Sequence, residues 1–336
     1  MVFSEVPSSN TIRVQKIKEF LEKEDLEISE DIETFVIAKE DDAIVACGGL
    51  SGKVLKNIAI DESIRGEGVA LSLMSELLKI AYSLGRDELF LFTKPMYEDV
   101  FESCGFKYIE QANQQVILME NRYNIDAYKK RLRKLRQSGD VIGSIVMNAN
   151  PFTLGHRHLV EQACLRSHWV HLFVVKEDAS FFSFEDRYRL ICEGLADLKN
   201  LTIHEGSDYI ISKATFPTYF IKDKRCIDSL YTELDLNIFR NHLAPELGVT
   251  HRFVGEEPLC VVTNEYNMQM KKILAKPSAF PPIEVIELPR IEYNHEPISA
   301  SRVRKLMKEG RLEEISHLVP SSTYRLIETM LSTTSH

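Results

Sequence analysis

No apolar run in this chain approaches the ~20 residues needed to cross a bilayer, so a soluble protein without a membrane partner is expected. The amino terminus, MVFSEVPSSNTIRVQK, lacks a basic stretch followed by an apolar one; no secretory signal is readable, and a cytoplasmic location is the expectation. Cysteine is sparse. The six residues Cys47, Cys104, Cys164, Cys192, Cys226 and Cys260 are scattered with no CxxC pair, which speaks against both a disulfide framework and a zinc site. A positive charge excess is also missing: 41 Lys and Arg face 50 Asp and Glu, a net charge of -9, so nucleic acid is not an expected partner. Internal repeats and low-complexity tracts are absent.

What is present is an ordinary globular composition, 44% hydrophobic and 27% charged, over 336 residues. That length suggests two domains at roughly 100–200 residues each. A basic stretch, AYKKRLRKLRQSGD, carries Lys129, Lys130, Arg131, Arg133, Lys134 and Arg136 and ends in Gly139. It reads as a helical linker over 125–139, either simply solvated or docking an acidic partner. Domains are therefore expected at 1–124 and 140–336.

Before the linker, FVIAKEDDAIVACGGL gives two apolar segments around an Asp41-Asp42 turn, and VLKNIAI a third, an antiparallel meander. In GVALSLMSELLKIAYSLG, Val69, Leu73, Leu77, Ile80 and Ala81 recur at helical spacing, with Gly85 as the C-terminal cap; ELFLFT is a further strand. After the linker the rhythm changes. Strands VIGSIVM, WVHLFVV, LTI, HRFVG and IEVIEL alternate with helices beginning near Gly155, Ser183 and Ser299, the pattern of a doubly wound parallel sheet.

In such a sheet ligands bind beyond the carboxyl ends of the strands, where helix N-termini present unpaired N–H groups. NANPFTLGHRHL lies at such a junction. Pro151 fixes the turn, Gly155 lets backbone approach a ligand, and His156 falls in the first helical turn, facing an anion received there.

Thr153, Gly155 and His156 resemble the T/HxGH signature of the nucleotidyltransferase superfamily, and ISASRVRKL, Ile298 to Leu306, resembles its second signature. Two departures stand out: Asn150 where Asp is common, and Ala300 in place of a hydroxyl. The resemblance implies ATP as substrate, with Thr153 and His156 at its α-phosphate and Ser299, Ser301 and Arg304 on the β- and γ-phosphates. Asn148, Asn150, Phe152 and Gly155 belong to the same nucleotide-binding turn, and Lys176, at the end of WVHLFVVK, stands where the superfamily often keeps a phosphate-binding lysine. Gly255 and Glu256, with Glu257, form a strand-end turn that meets the adenosine or the metal, or is an ordinary loop. Arg187 and Arg189 read as solvated helix residues, and His158 as a ligand contact or polar surface, with surface favoured.

Together GSIVMNANPFTLGHRHLVEQA, VVKEDASFFSFEDRYRLI, ISKATFPTYFIKD, VGEEP and EPISASRVRKL resemble the citrate lyase ligase family. That resemblance implies activation of acetate by ATP to acetyl-AMP and pyrophosphate. Transfer of the acetyl group to the prosthetic-group thiol of the citrate lyase acyl carrier subunit then follows. Mg2+ arrives with ATP, bridging phosphates; no metal site of the protein's own is expected.

IRGEGVALSLM places Arg65, Gly66, Gly68 and Ala70 in a pattern that resembles the R-x-x-G-x-G/A of GNAT acetyltransferases, which cradles the pyrophosphate of coenzyme A. VFESCGFKYI resembles a later GNAT segment, but Phe101 stands where many of those enzymes keep a general-acid Tyr. The domain is thus either a cradle for the CoA-like prosthetic group or a scaffold. GGLSGKV fails as a P-loop, because Cys47 and Val54 stand where Gly and a hydroxyl are required. The expected class is α/β: a GNAT-like α+β module, then an HxGH-type, Rossmann-like nucleotidyltransferase domain. The competing functions are an adenylyltransferase acting on a phosphorylated small molecule of coenzyme biosynthesis and a non-catalytic nucleotide-binding assembly factor.

Overall fold

A computed structural model describes residues 1–176, 180–212, 229–257, 261–276 and 278–334. The chain forms two compact units, Met1–Tyr128 and Lys129–His336. Most of ISKATFPTYFIKD, as well as Cys226 and Cys260, lies outside the described residues.

The first unit runs β1 (Val2–Pro7), α1 (Thr11–Lys23), β2 (Thr34–Glu40), β3 (Ala43–Ser51), β4 (Val54–Ile60), α2 (Glu67–Ser83), β5 (Phe90–Thr93), α3 (Glu98–Ser103), β6 (Lys107–Ala112) and β7 (Val116–Glu120). Its seven-stranded sheet has the order β1-β2-β3-β4-β5-β7-β6. Neighbours are antiparallel except β4 and β5, which pair in parallel. Asp41 and Asp42 both adopt positive φ, 47° and 64°, the geometry of a tight two-residue hairpin turn between β2 and β3. Leu73, Leu77 and Ala81 of α2 bury against the sheet with Phe101, so the residue lacking a hydroxyl is a core residue here. Gly85, with φ 72°, follows the end of α2 as expected of a left-handed cap.

Helix α4 (Asn124–Arg133) carries the chain across the boundary. The second unit continues with β8 (Ile142–Met147), α5 (Leu154–Arg166), β9 (Trp169–Val174), α6 (Phe184–Gly194), β10 (Leu201–His204), α7 (Ser229–Ile238), α8 (Ala244–Leu247), β11 (His251–Gly255), α9 (Val261–Ala275) and β12 (Glu284–Leu288). A small hairpin, β13 (Glu292–Tyr293) with β14 (Glu296–Pro297), precedes α10 (Ala300–Lys308), α11 (Leu312–Ile315) and α12 (Ser321–Thr334).

The strand order β10-β9-β8-β11-β12, all parallel, is that of a doubly wound sheet. Chain direction across the sheet reverses between β8 and β11, the position at which such sheets open a crevice. Ile145 and Met147 of β8 join Val160 and Ala163 of α5 and Phe253 of β11 in one core, and α10 packs Val303, Leu306 and Met307 into another with α12. No helix among the described residues is long and apolar enough to cross a membrane.

Candidate active site

A cleft of about 360 Å³ opens beyond β8 and β11, lined by Asn148, Asn150, Thr153, Gly155 and His156 on one side and Ser299, Ser301 and Arg304 on another. The two signatures, remote in sequence, therefore face one space. Two close approaches hold them there. A Cβ on Gly155 would lie 2.8 Å from Ile298 O, and the Arg304 guanidinium donates to Asn150 O; the Leu154 N–H also donates to Leu318 O, between α11 and α12, at 2.9 Å.

The start of α5 is a reciprocal cap. Thr153 Oγ1 accepts the His156 N–H at 3.3 Å, and the Thr153 N–H donates to His156 Nδ1 at 3.1 Å. With Nδ1 accepting, the neutral ring carries its proton on Nε2. Burial, with help from Arg290 and Arg304, lowers the His156 pKa to about 4, so the ring is neutral at physiological pH. A neutral N–H donor in the first turn of a helix, flanked by two guanidinium groups, suits a phosphoryl oxygen. Thr153 is 1% exposed and its hydroxyl is held in the cap, so it positions His156.

Ser299 caps α10 by accepting the Arg302 N–H at 3.1 Å. Ser301 Oγ accepts from Arg304 Nη2 at 3.1 Å. Burial pushes the Arg304 pKa down, as expected of a cation held inside a cleft.

Several residues fall elsewhere than the sequence suggested. Phe152 is 0% exposed; its ring fills the space beside Gly194 and stacks on His156 at 5.9 Å, so it supports the cleft-lining imidazole from behind. Lys176 is exposed past the end of β9 and does not line the cleft. Glu256 is exposed, whereas Gly255 and Glu257 line the cleft. His158, expected at the surface, lines it too. Ala70 is buried inside α2, while Arg65, Gly66 and Gly68 are exposed. Arg65 is ion-paired with Glu24 at 2.6 Å and donates to Ile60 O at 3.0 Å.

Arg187 corrects the sequence most sharply. It is 0% exposed and donates to the carbonyls of Asn148 and Val175 and to Asn148 Oδ1 through Nη1, and to Phe182 O through Nε. It thereby fixes the turn in which Ala149 takes φ 49° and Asn150 Oδ1 accepts the Phe182 N–H at 3.0 Å. Its place on the apolar stripe of α6 with Leu190, Ile191 and Gly194 was a readable signal. Arg189, by contrast, is exposed and pairs with Asp186.

Arg290, which sequence reasoning passed over, lines the same cleft as Arg304, donating to Glu256 O at 2.6 Å and pairing with Glu257. Its signal was a cation two residues beyond a parallel strand, where ligands bind.

A family model described as the citrate lyase ligase C-terminal domain matches residues 142–327, and one described as an acetyltransferase (GNAT) domain matches residues 5–118. The chain is 47% identical to the [citrate [pro-3S]-lyase] ligase of Escherichia coli strain K12, over 98% of this chain and 94% of that one. It is 51% identical to the Klebsiella pneumoniae protein of the same name, over 93% and 91%. A phosphopantetheine adenylyltransferase of Streptococcus gordonii is 25% identical over 56% of this chain and 94% of its own. The cleft between the two signatures thus sits in a chain that belongs to the citrate lyase ligase family.

Proposed function

We propose that this chain uses ATP to activate acetate and passes the acetyl group to the prosthetic-group thiol of the acyl carrier subunit of citrate lyase. The observation that carries the reading is the meeting of the Thr153–His156 turn and the Ser299–Arg304 segment in one cleft, in a member of this family. In the first step an acetate oxygen attacks Pα; the new O–P bond forms as the Pα–O–Pβ bond breaks, giving acetyl-AMP and pyrophosphate. No protein nucleophile is required, only donors and cations aimed at growing charge. His156 Nε2–H serves a Pα oxygen, and Arg304, Ser301 and Arg290 receive the departing pyrophosphate. Magnesium enters with the nucleotide.

In the second step the thiol sulfur attacks the acetyl carbon, the acyl C–O bond to AMP breaks, and the thiol proton leaves to solvent or a base. The turn at Gly66 and Gly68 is our candidate for receiving the CoA-like prosthetic group. A Cβ at either glycine meets nothing within 4 Å, which supports open access for a bulky ligand. Dephospho-CoA binding to the full chain, weakened by Gly68→Asp, is the expected result; equal binding or none in both proteins leaves this module a scaffold.

Exchange of labelled pyrophosphate into ATP, with and without acetate, tests the main reading. Acetate-stimulated exchange is expected. Exchange needing instead a phosphorylated acceptor turns the reading to an adenylyltransferase, and no exchange to a nucleotide-binding assembly factor.

A further inference from the structure

Side chains of a strand alternate between faces, and β11 uses its two faces differently. Phe253 turns toward Gly143 and the α5 core, whereas Arg252 and Val254 line the cleft. Arg252 precedes Gly255, the strand's last residue, by three positions, about 10 Å along the strand. It therefore marks the inner end of the space whose mouth holds His156, Arg290 and Arg304.

Arg252 is 3% exposed, and its Nε and Nη1 have no hydrogen-bond acceptor among the described residues. Its guanidinium lies 4.5 Å over the Phe239 ring, which steadies the cation without occupying an N–H. The nearby carboxylate is spoken for: Asp235 Oδ1 accepts the Ile211 N–H and Oδ2 the Tyr266 hydroxyl, each at 2.7 Å. The other buried arginines of this unit, Arg187 and Arg240, both donate to backbone carbonyls. A guanidinium withdrawn from water with two unused donors is costly, and an arriving anion offsets that cost.

The anion is defined by its surroundings. Val146, Val254 and Met270 give the same cleft apolar walls. A planar group with two acceptor oxygens and a very small apolar body fits this combination, with one of its oxygens accepting from Nη1 at the tip of the guanidinium. We infer that Arg252 receives the carboxylate of the acid to be activated, and that the apolar walls confine that acid to a short chain. This inference rests on the acid-activating reading of the cleft. Arg252 is then a substrate-binding residue, holding the carboxylate below the phosphate that it attacks.

The test is pyrophosphate exchange by the full chain, titrated separately with sodium acetate and with ATP, in wild type, Arg252→Met and Arg252→Lys. Losing a charge-assisted pair raises the half-saturating acetate concentration about 10- to 100-fold in Arg252→Met, with less than about twofold change for ATP. Arg252→Lys, which keeps the charge but not the planar guanidinium, shows a smaller rise in the same direction. An unchanged acetate requirement overturns the inference, as does an equal rise for ATP. Because no acceptor among the described residues is abandoned, Arg252→Met should melt no lower than wild type; if it does not fold, the acetate titration of Arg252→Lys decides alone. Absence of acetate stimulation in wild type would instead overturn the acid-activating reading itself.

Discussion

Arg304, on α10, donates through Nη1 to the backbone carbonyl of Asn150 and through Nη2 to Ser301 Oγ, joining the turn before α5 to the start of α10. A lysine offers one point of contact where this geometry uses a planar fork. Arg304→Lys and Arg304→Ala should both lower the maximal exchange rate by about 100- to 1000-fold, as loss of a transition-state donor does. Circular dichroism should remain that of the wild type. Near-normal turnover in either variant would remove Arg304 from the site.

Gly155 is small because a carbonyl requires it. A Cβ there would stand 2.8 Å from Ile298 O, and backbone yields less readily than a side chain tip. Gly155→Ala should cost on the order of 1–3 kcal/mol in urea unfolding and weaken nucleotide binding as the two signatures separate. Unchanged stability and unchanged affinity together would contradict the close approach.

The imidazole of His156 should be an uncharged Nε2–H donor in the free protein at pH 6, since its pKa is lowered to about 4. Long-range proton–nitrogen NMR reads both tautomer and charge directly. A doubly protonated ring at pH 6 would be incompatible with this assignment. His156→Ala should depress exchange by about 100-fold or more.

Arg187 is a stability residue with a functional consequence. Arg187→Met leaves several buried carbonyls without their donor, costing on the order of 3 kcal/mol or more. The loosened Asn148–Asn150 turn should also raise the ATP concentration needed for half-maximal exchange. A variant as stable as wild type would show that the carbonyls find other partners.

The buried pair His171 and His204, with Nδ1 and Nε2 3.0 Å apart on adjacent strands, gives the second unit a pH dependence. Burial lowers the pKa of His171 to about 4, and burial with the neighbouring ring lowers that of His204 to about 3. Unfolded, both bind protons near pH 6.5. Between about pH 6.5 and these lowered values the unfolded chain holds more protons, so stability falls as pH falls. Urea midpoints at pH 7 and pH 5 should differ more in wild type than in the His171→Gln/His204→Gln double variant. Equal differences would exclude the pair as the source.

The parallel strands were legible because runs such as SIVM and HLFVV are apolar on both faces, and the site was legible because its turn chemistry is dense: Pro151, Thr153, Gly155 and His156 within six residues. Charged residues that fold inward were harder to see. Arg187 reads as solvent-facing unless its helical register with Leu190 and Ile191 is traced, and Arg252 because strand HRFVG gives no sign of which face opens to a cleft. Phe152 misled in the opposite sense: neighbouring ligand-facing residues suggested a contact, while the pleat of the turn sends its ring into the core. The helix spacing in α2 was plain, and the Ala70 side chain that follows its glycines is packed inside.

The reciprocal cap of α5 has a bearing on evolution and design. One imidazole both ties off the first turn of the helix and leaves its remaining N–H for the cleft, so assembly of the scaffold and aiming of the donor are a single event. Any redesign of this domain toward another acid or acceptor can vary the walls freely, but a replacement for that ring must do two jobs at once.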